Sequence, residues 1–318
     1  MKAFERNVYY LLKPVIPWRV RLALRRWSAR RLLPKVGAVW PVKPGSDQPP
    51  QGWQGWPKGK QFSFVLTHDV ESQKGVDRVR QLAEMEMACG FRSSYNFIPE
   101  GPYRVPVQLR RWLVDNGFEV GVHDHRHDGK LFRSWRRFKT SAGRINHFLR
   151  DWNAVGFRAG FMLHNLEWIR ELGVLYDAST FDTDPFEPQP DGVDTIFPFI
   201  VPRPSGAGYV ELPYTLVQDF NLFIVLRQHS IDIWKQKLDW IASRGGMALL
   251  IVHPDYTSFS ATRPTEDEFP ASLYEEFLRY VRNSYSGSSW SALPREVAEH
   301  VVNRKGLLRT PASDSHGP

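Results

Sequence analysis

The chain has 318 residues, of which 42% are hydrophobic and 24% charged, a composition that excludes a disordered, collagen-like or disulfide-scaffold protein. Cys89 is its single cysteine, so no intramolecular disulfide is possible, and no apolar run reaches the roughly 18 residues of a membrane-spanning helix. The net charge of +8 is concentrated in residues 1–37, which hold ten basic residues and one acid, so that the remainder is near neutral at −1; a fold-wide nucleic-acid surface is thereby excluded.

The first 37 residues form a basic arm. Its apolar stretch Val8–Leu12 is short, is broken by Lys13 and Pro14, and lacks the small-residue cleavage site of a secretory signal. Trp18–Leu33 reads as a basic helix in which Val20, Leu22, Leu24, Trp27 and Leu32 alternate with arginines. Two readings stay open: the helix lies on an anionic membrane surface, with Trp18 and Trp27 as interfacial anchors, or it packs on the body or on another subunit. Residues 41–60, rich in Pro, Gly and polar side chains, read as a linker or irregular extension, with Trp53 and Trp56 packing on the body or, alternatively, stacking on sugar rings. The single thiol and the poor signal lead us to expect a cytoplasmic protein, peripheral at the inner face of the membrane.

From residue 61 short apolar runs alternate with helix-period segments. Strands are expected at Phe62–Thr67, Ser93–Ile98, Phe118–Val122, Val155–Arg158, Val174–Tyr176 and Met247–Val252. Helices are expected at Val76–Ala88, Val107–Asp115, Trp135–Trp152, Leu166–Leu172 and from Ser230 through Ala242. The alternation argues for parallel strands with crossover helices, an α/β sheet or barrel over residues 61–305, followed by a polar tail from 306. No internal repeat, phosphate-binding glycine loop or nucleophile elbow is present.

Polar residues stand where the apolar runs stop: Thr67-His68-Asp69-Val70-Glu71 after the first strand, His123-Asp124-His125-Arg126-His127 after the third, then Arg158, Asp177 and His253. The carboxyl ends of parallel strands converge on one face, so these clusters meet there. His123 and His127 can turn both imidazoles to one metal, and His125 can join them instead if the stretch stays extended. Two histidines are too few, and Asp69 or Glu71 supplies the carboxylate. Such a donor set suits zinc and also admits Co, Ni, Mn or Fe.

These residues resemble the polysaccharide deacetylases of the NodB-homology type, carbohydrate esterase family 4, over residues 62–255. The resemblance implies a distorted (β/α) barrel, seven-stranded and TIM-like, and hydrolytic removal of acetyl groups from N-acetylated sugars with a divalent metal. Leu66-Thr67-His68-Asp69 is similar to the first family motif, which puts the general base on Asp69. The following family aspartate, a metal ligand, is Val70 here, a form similar to a divergent branch in which the second acid is displaced. The His123…His127 segment carries the two histidine ligands, with Asp124 in place of Ser or Thr. Phe157-Arg158-Ala159 carries the arginine that orients the base, with Gly160 in place of proline. Tyr176-Asp177-Ala178-Ser179 lines the groove, and Leu250–His253 places the general acid on His253.

Asp69 and Glu71 share one side of a strand and Val70 points away, which leaves three arrangements. Asp69 is the ligand with Glu71 or Asp124 as base; Glu71 is the ligand with Asp69 as base; or the site is weakened. Asp69 lies close to the cation in every active version. The expected ligands are therefore Asp69, His123 and His127, and the expected catalytic groups Asp69, Glu71, Arg158 and His253. The expected partner is a carbohydrate or glycan substrate, with residues 1–37 facing an anionic membrane and no nucleic acid. The alternatives are a metal-dependent hydrolase of a small non-sugar amide, a non-catalytic glycan-binding protein, and a membrane-docked assembly protein.

Overall fold

The structure is a computed structural model describing residues 16–37, 40–204 and 206–304; Val8–Leu12 and the tail from 306 lie outside the described residues. Helix α1 (Trp18–Val36) leads through the segment 40–61 into β1 (Phe62–Val70). There follow α2 (Gln73–Cys89), β2 (Ser94–Phe97), α3 (Val107–Asp115), β3 (Glu119–His123), α4 (Trp135–Asp151), β4 (Gly156–Arg158), α5 (Leu166–Ile169) and β5 (Tyr176–Asp177). The second half holds β6 (Phe199–Val201), β7 (Tyr209–Glu211), a π-helix at Phe220–Val225, α6 (Asp232–Arg244), β8 (Met247–Ile251), β9 (Thr257–Ser258), β10 (Phe269–Pro270), α7 (Ala271–Tyr285), β11 (Ser289–Ala292) and α8 (Pro294–Arg304).

The helix boundaries follow local chemistry. Ser72, Ser134 and Asn165 each accept a hydrogen bond from a first-turn amide of the following helix, the ordinary N-cap role of a short polar side chain. Gly90 and Gly245 close α2 and α6 in the left-handed conformation, which costs a residue without Cβ nothing.

The sheet is a curled array in the order β8-β1-β2-β3-β4-β5-β7-β6, all parallel except β6, which runs antiparallel to β7. β11 pairs with the first half of β1, Phe62–Val65, and β2 with the second half, Thr67–Val70. The sheet thus has nine strands among the described residues, against the seven expected, because β6 and β11 add short edges. The free flank of β8 is met by loop backbone: Met247 N–H donates to Ile196 (2.8 Å), and Thr215 and Leu216 N–H donate to Leu249 (3.1 Å each). The result is the distorted (β/α) barrel, closed on one side by loops.

β1 is buried along its whole length, as a parallel strand covered on both faces must be. Phe62, Phe64, Leu66 and Val70 face the helices, in a cluster with Leu82, Trp234 and Phe277. Val65 faces the interior with Leu249, Ile251, Val210 and Leu212. This alternation sends Asp69 inward and Val70 outward.

The extension 41–60 is packed down. Trp56 is buried, donates from Nε1 to Gly245 O (2.8 Å) and stacks on His300; Trp53 sits edge-on to Trp56 and Phe197. Helix α1 packs on the π-helix through Leu22, Arg26 and Ala29. The buried Arg26 donates from Nε to Ile224 O (2.9 Å) and from Nη2 to Glu266 O (2.7 Å). No helix among the described residues is long and apolar enough to cross a membrane.

Two glycines separate packing from propensity. A Cβ at Gly156 would overlap the Tyr176 ring, whereas one at Gly143, inside α4, would meet nothing within 4 Å. Gly156→Ala is expected to destabilise by about 1–3 kcal/mol through overpacking, and Gly143→Ala to stabilise by about 0.5–1 kcal/mol through helix propensity. Thermal melts of the two variants should shift in opposite directions; equal shifts would contradict this packing.

Candidate active site

Every cluster singled out in the sequence stands at the carboxyl rim of the parallel strands. Asp69 is the penultimate residue of β1 and Glu71 follows it, His123 ends β3, Arg158 ends β4 and His253 follows β8. They open into a cavity of about 950 Å³ whose wall includes Asp69, Glu71, His123, His127 and His253.

The tautomer of His123 organises the site. Its Nδ1 lies 3.1 Å from Arg158 O; a carbonyl only accepts, so Nδ1 carries a proton, and in the neutral imidazole it is Nε2 that presents a lone pair. That Nε2, like the Nε2 of His127, is buried without a hydrogen-bond partner. Glu71 Oε1 lies 3.8 Å from the first and 3.1 Å from the second. One ligand atom from each of Glu71, His123 and His127 falls within 4.8 Å of the others. Tetrahedral ligands at about 2.1 Å from a common ion stand about 3.4 Å apart, so the two imidazoles and the carboxylate fit a divalent cation.

Asp69, expected among the ligands, is not in this triad. It lies on the other side of the His123 ring, its Oδ2 4.0 Å from Nδ1, the nitrogen already committed to Arg158. Its Oδ1 accepts from Asn96 Nδ2 (2.9 Å) and Arg158 Nη1 (3.1 Å). Burial pushes the Asp69 carboxyl up, but Arg158, His123, His253 and Asn96 outweigh it and hold the pKa at about 2. Asp69 is therefore ionised at any working pH.

Glu71 is fixed from three sides. Its N–H donates to Asp255 Oδ2 (2.9 Å), and Oε2 accepts from Tyr256 OH (3.1 Å). Burial alone would raise its pKa; His127 and His123 bring it well below the ordinary carboxylate range. The loop that returns His127 to His123 has Asp124 and His127 in the left-handed region, at φ 56° and 54°, strain of a kind stored at functional sites. A Cβ at Gly160 would fall 2.5 Å from His127 Cδ2 and 2.7 Å from Asp124 Oδ2, so the glycine that stands where the resemblance expects proline makes room for this loop. His125 turns away to Glu100, Nε2 to Oε2 at 2.9 Å, and does not join the triad.

Opposite Asp69, His253 Nδ1 donates to Asp219 Oδ1 (2.6 Å) and the His253 amide to Oδ2 (2.7 Å). Burial works against the imidazolium, but Asp219, Glu71 and Asp69 raise the pKa of His253 to about 10. His253 Nε2 lies 3.9 Å from Glu71 Oε1. The arrangement sets an ionised carboxylate and a protonated imidazole around one cavity, with a cation-fitting triad between them. Asp177 does not reach it: its Oδ1 accepts from Ser179 Oγ (2.6 Å), and burial raises its pKa beside Glu211, whose own is raised too.

Asn96 and Asp219 were missed in the sequence. Asn96 lies inside an apolar strand and Asp219 precedes an irregular helix, so neither follows an apolar run of the kind that marks the other site residues.

No family model and no curated protein matches this sequence. The fold does match solved structures. A protein described as a polysaccharide deacetylase from Mycobacterium smegmatis superposes with a TM-score of 0.61 at 19% identity, over 82% of this chain and 96% of that one. The peptidoglycan deacetylase PdaC from Bacillus subtilis (TM-score 0.45, 11% identity, 79% and 95% covered) and a family 4 carbohydrate esterase from Streptomyces lividans (0.42, 12%, 73% and 93%) are more distant. The chain has the polysaccharide-deacetylase fold.

In the metal-free protein, ring-nitrogen NMR should show His253 doubly protonated up to about pH 10, and Asp219→Asn should bring its titration down toward the ordinary value of about 6.5. A pKa raised on folding stabilises the protein fully below about pH 6.5, and that contribution fades as pH climbs toward 10. An unmoved titration in the variant would disprove the pairing.

Proposed function

We propose that this protein is a metal-dependent hydrolase that deacetylates an N-acetylated sugar or glycan precursor. The observation that carries this reading is the pair of partnerless Nε2 atoms on His123 and His127, aimed with Glu71 at one point beside an ionised Asp69 and a protonated His253. The fold shared with the Mycobacterium smegmatis protein supports the carbohydrate class of substrate.

Glu71, His123 and His127 would hold the cation, with zinc first among the metals this donor set accepts. Bound there, a divalent cation supplies Lewis acidity to the acetyl carbonyl and lowers the pKa of water from ~15.7 toward ~7. Asp69 takes a proton from the attacking water; Arg158 and Asn96 hold its carboxylate ionised and aimed. His253 Nε2 gives a proton to the departing nitrogen, and Asp219 stabilises the imidazolium beforehand. The C–N amide bond breaks, a C–O bond forms from water, and acetate and a free amine leave. Asp69 thus acts as base and Glu71 as ligand.

Acetate release from N-acetylated chitooligosaccharides should be abolished by a chelator and restored by zinc. Asp69→Asn should keep the metal and lose at least ~100-fold in kcat, whereas Glu71→Gln and His123→Ala should lose the metal. Elemental analysis of each variant reads the two roles separately. Loss of metal in Asp69→Asn with retention in Glu71→Gln would reverse the assignment, and tight zinc binding with no acetate released from any N-acetylated sugar would refute the activity.

A further inference from the structure

We propose that α1 docks the protein on an anionic lipid bilayer, with the mouth of the active-site cavity turned toward that bilayer. The helix has apolar residues on two opposite faces. Leu22 and Ala29 are covered by the body. Val20, Leu24 and Trp27, at the i, i+4, i+7 spacing of a single stripe, are 47%, 53% and 54% exposed. Val, Leu and Trp side chains in such numbers on one helix face are costly to leave in water. Trp at the edge of an apolar stripe is the residue that settles at a membrane–water interface.

Charge names the occupant. The described part of the arm, residues 16–37, carries six arginines and Lys35 with no acid. Arg25 and Arg26 are turned into the body. Arg19 and Arg30 are exposed beside the stripe, and Arg31 lies in line with it, its guanidinium 3.8 Å from the centre of the Trp27 ring. An apolar stripe bordered by cations matches the acyl boundary and headgroups of an anionic leaflet. The other exposed large apolar side chains, Val107 and Val114 on α3 and Trp135 on α4, also have cations beside them but do not line the cavity that holds Glu71, His123 and His127.

Geometry gives the orientation. The side of α1 between its buried face and its stripe, with Arg21, Arg25, Ser28 and Leu32, forms a wall of the cavity that holds Glu71, His123 and His127. Leu24 is both in the stripe and on that wall. A bilayer meeting the stripe therefore meets the cavity mouth, and a glycan anchored in that bilayer reaches the site without leaving it. The docking rests on α1 and not on the chemistry of the site, so a vesicle readout tests it whatever the reaction proves to be.

Co-sedimentation of the full chain with phosphatidylcholine vesicles containing about 30 mol% phosphatidylglycerol should exceed that with pure phosphatidylcholine by at least ~10-fold, and should fall steeply from about 0.1 to about 1 M salt. Val20→Ser with Trp27→Ser should lower it by about 10-fold at an unchanged melting temperature, and so should Arg19→Gln with Arg30→Gln. Because Cys89 is buried, an environment-sensitive dye on Trp27→Cys or Val114→Cys reports the orientation; a blue shift is expected at 27 and none at 114. Equal binding to neutral vesicles, no binding to anionic ones, or equal shifts at both positions would each overturn the proposal.

Discussion

The site depends on one buried cation. Arg158 is fully buried, and water cannot solvate it, so the protein supplies partners for Nε and Nη1, while Nη2 is buried without one. Nε donates to Ala178 O beyond β5 (2.7 Å), and Nη1 to Thr67 Oγ1 (2.9 Å) and Asp69 Oδ1 (3.1 Å) on β1. Its own carbonyl accepts from the Asp124 amide (2.7 Å) and from His123 Nδ1. A single residue thus ties the ends of β1, β3, β4 and β5, keeps one carboxylate ionised and sets one imidazole tautomer. A buried ion pair adds little net stability, yet removing one partner typically costs about 3–5 kcal/mol because the other charge is stranded. The arrangement is worth having for the geometry it imposes.

That same residue explains what could be read in the sequence and what could not. Strand ends were legible because an apolar run that stops at a polar group is local information. Thus β1, β3, β4 and β8 and their terminal Asp69, His123, Arg158 and His253 were placed from pattern alone. The division of labour between Asp69 and Glu71 was not, because both lie on one side of the strand. In the proposed function it turns on which nitrogen of His123 is free, and a carbonyl 35 residues away sets that. Asn96 and Asp219 are equally invisible, since their partners are made by the fold. The short β6 and β7 lack a clear period of their own and are held by packing, whereas α7 carries a helical period, with Tyr274, Phe277, Leu278 and Val281 on its buried face, that the strand–helix reading passes over.

The departures from the expected motifs are physically linked. Val70 turns outward into the apolar cluster under the helices, a place where an unpaired carboxylate would be prohibitively desolvated. Glu71 lies one residue further, past the strand end, where its longer side chain reaches the open nitrogens of His123 and His127. The Asp255 side chain receives its amide and Tyr256 its carboxylate, which makes up for the lost strand support. Gly160 removes a Cβ that would collide with His127 and Asp124. Each substitution alone would read as damage; together they rebuild a donor triad one residue further along the chain.

His253 and the N-terminal helix turn on the same short segment. Asp219, which holds His253, immediately precedes the π-helix 220–225, and its Oδ1 also receives the Phe220 amide (2.7 Å). Helix α1 is fastened to that π-helix: Arg25 Nη2 donates to Asn221 Oδ1 (3.2 Å), Arg26 Nε to Ile224 O, and the rings of Trp18 and Phe220 lie 6.1 Å apart. A π-turn leaves backbone groups out of the regular α ladder, and one of these carbonyls is the acceptor for Arg26. Because arginine supplies several donors at a fixed angle, α1 is held by directional bonds as well as by apolar contact. The helix that walls the cavity and the carboxylate that holds His253 are therefore positioned by one structural element.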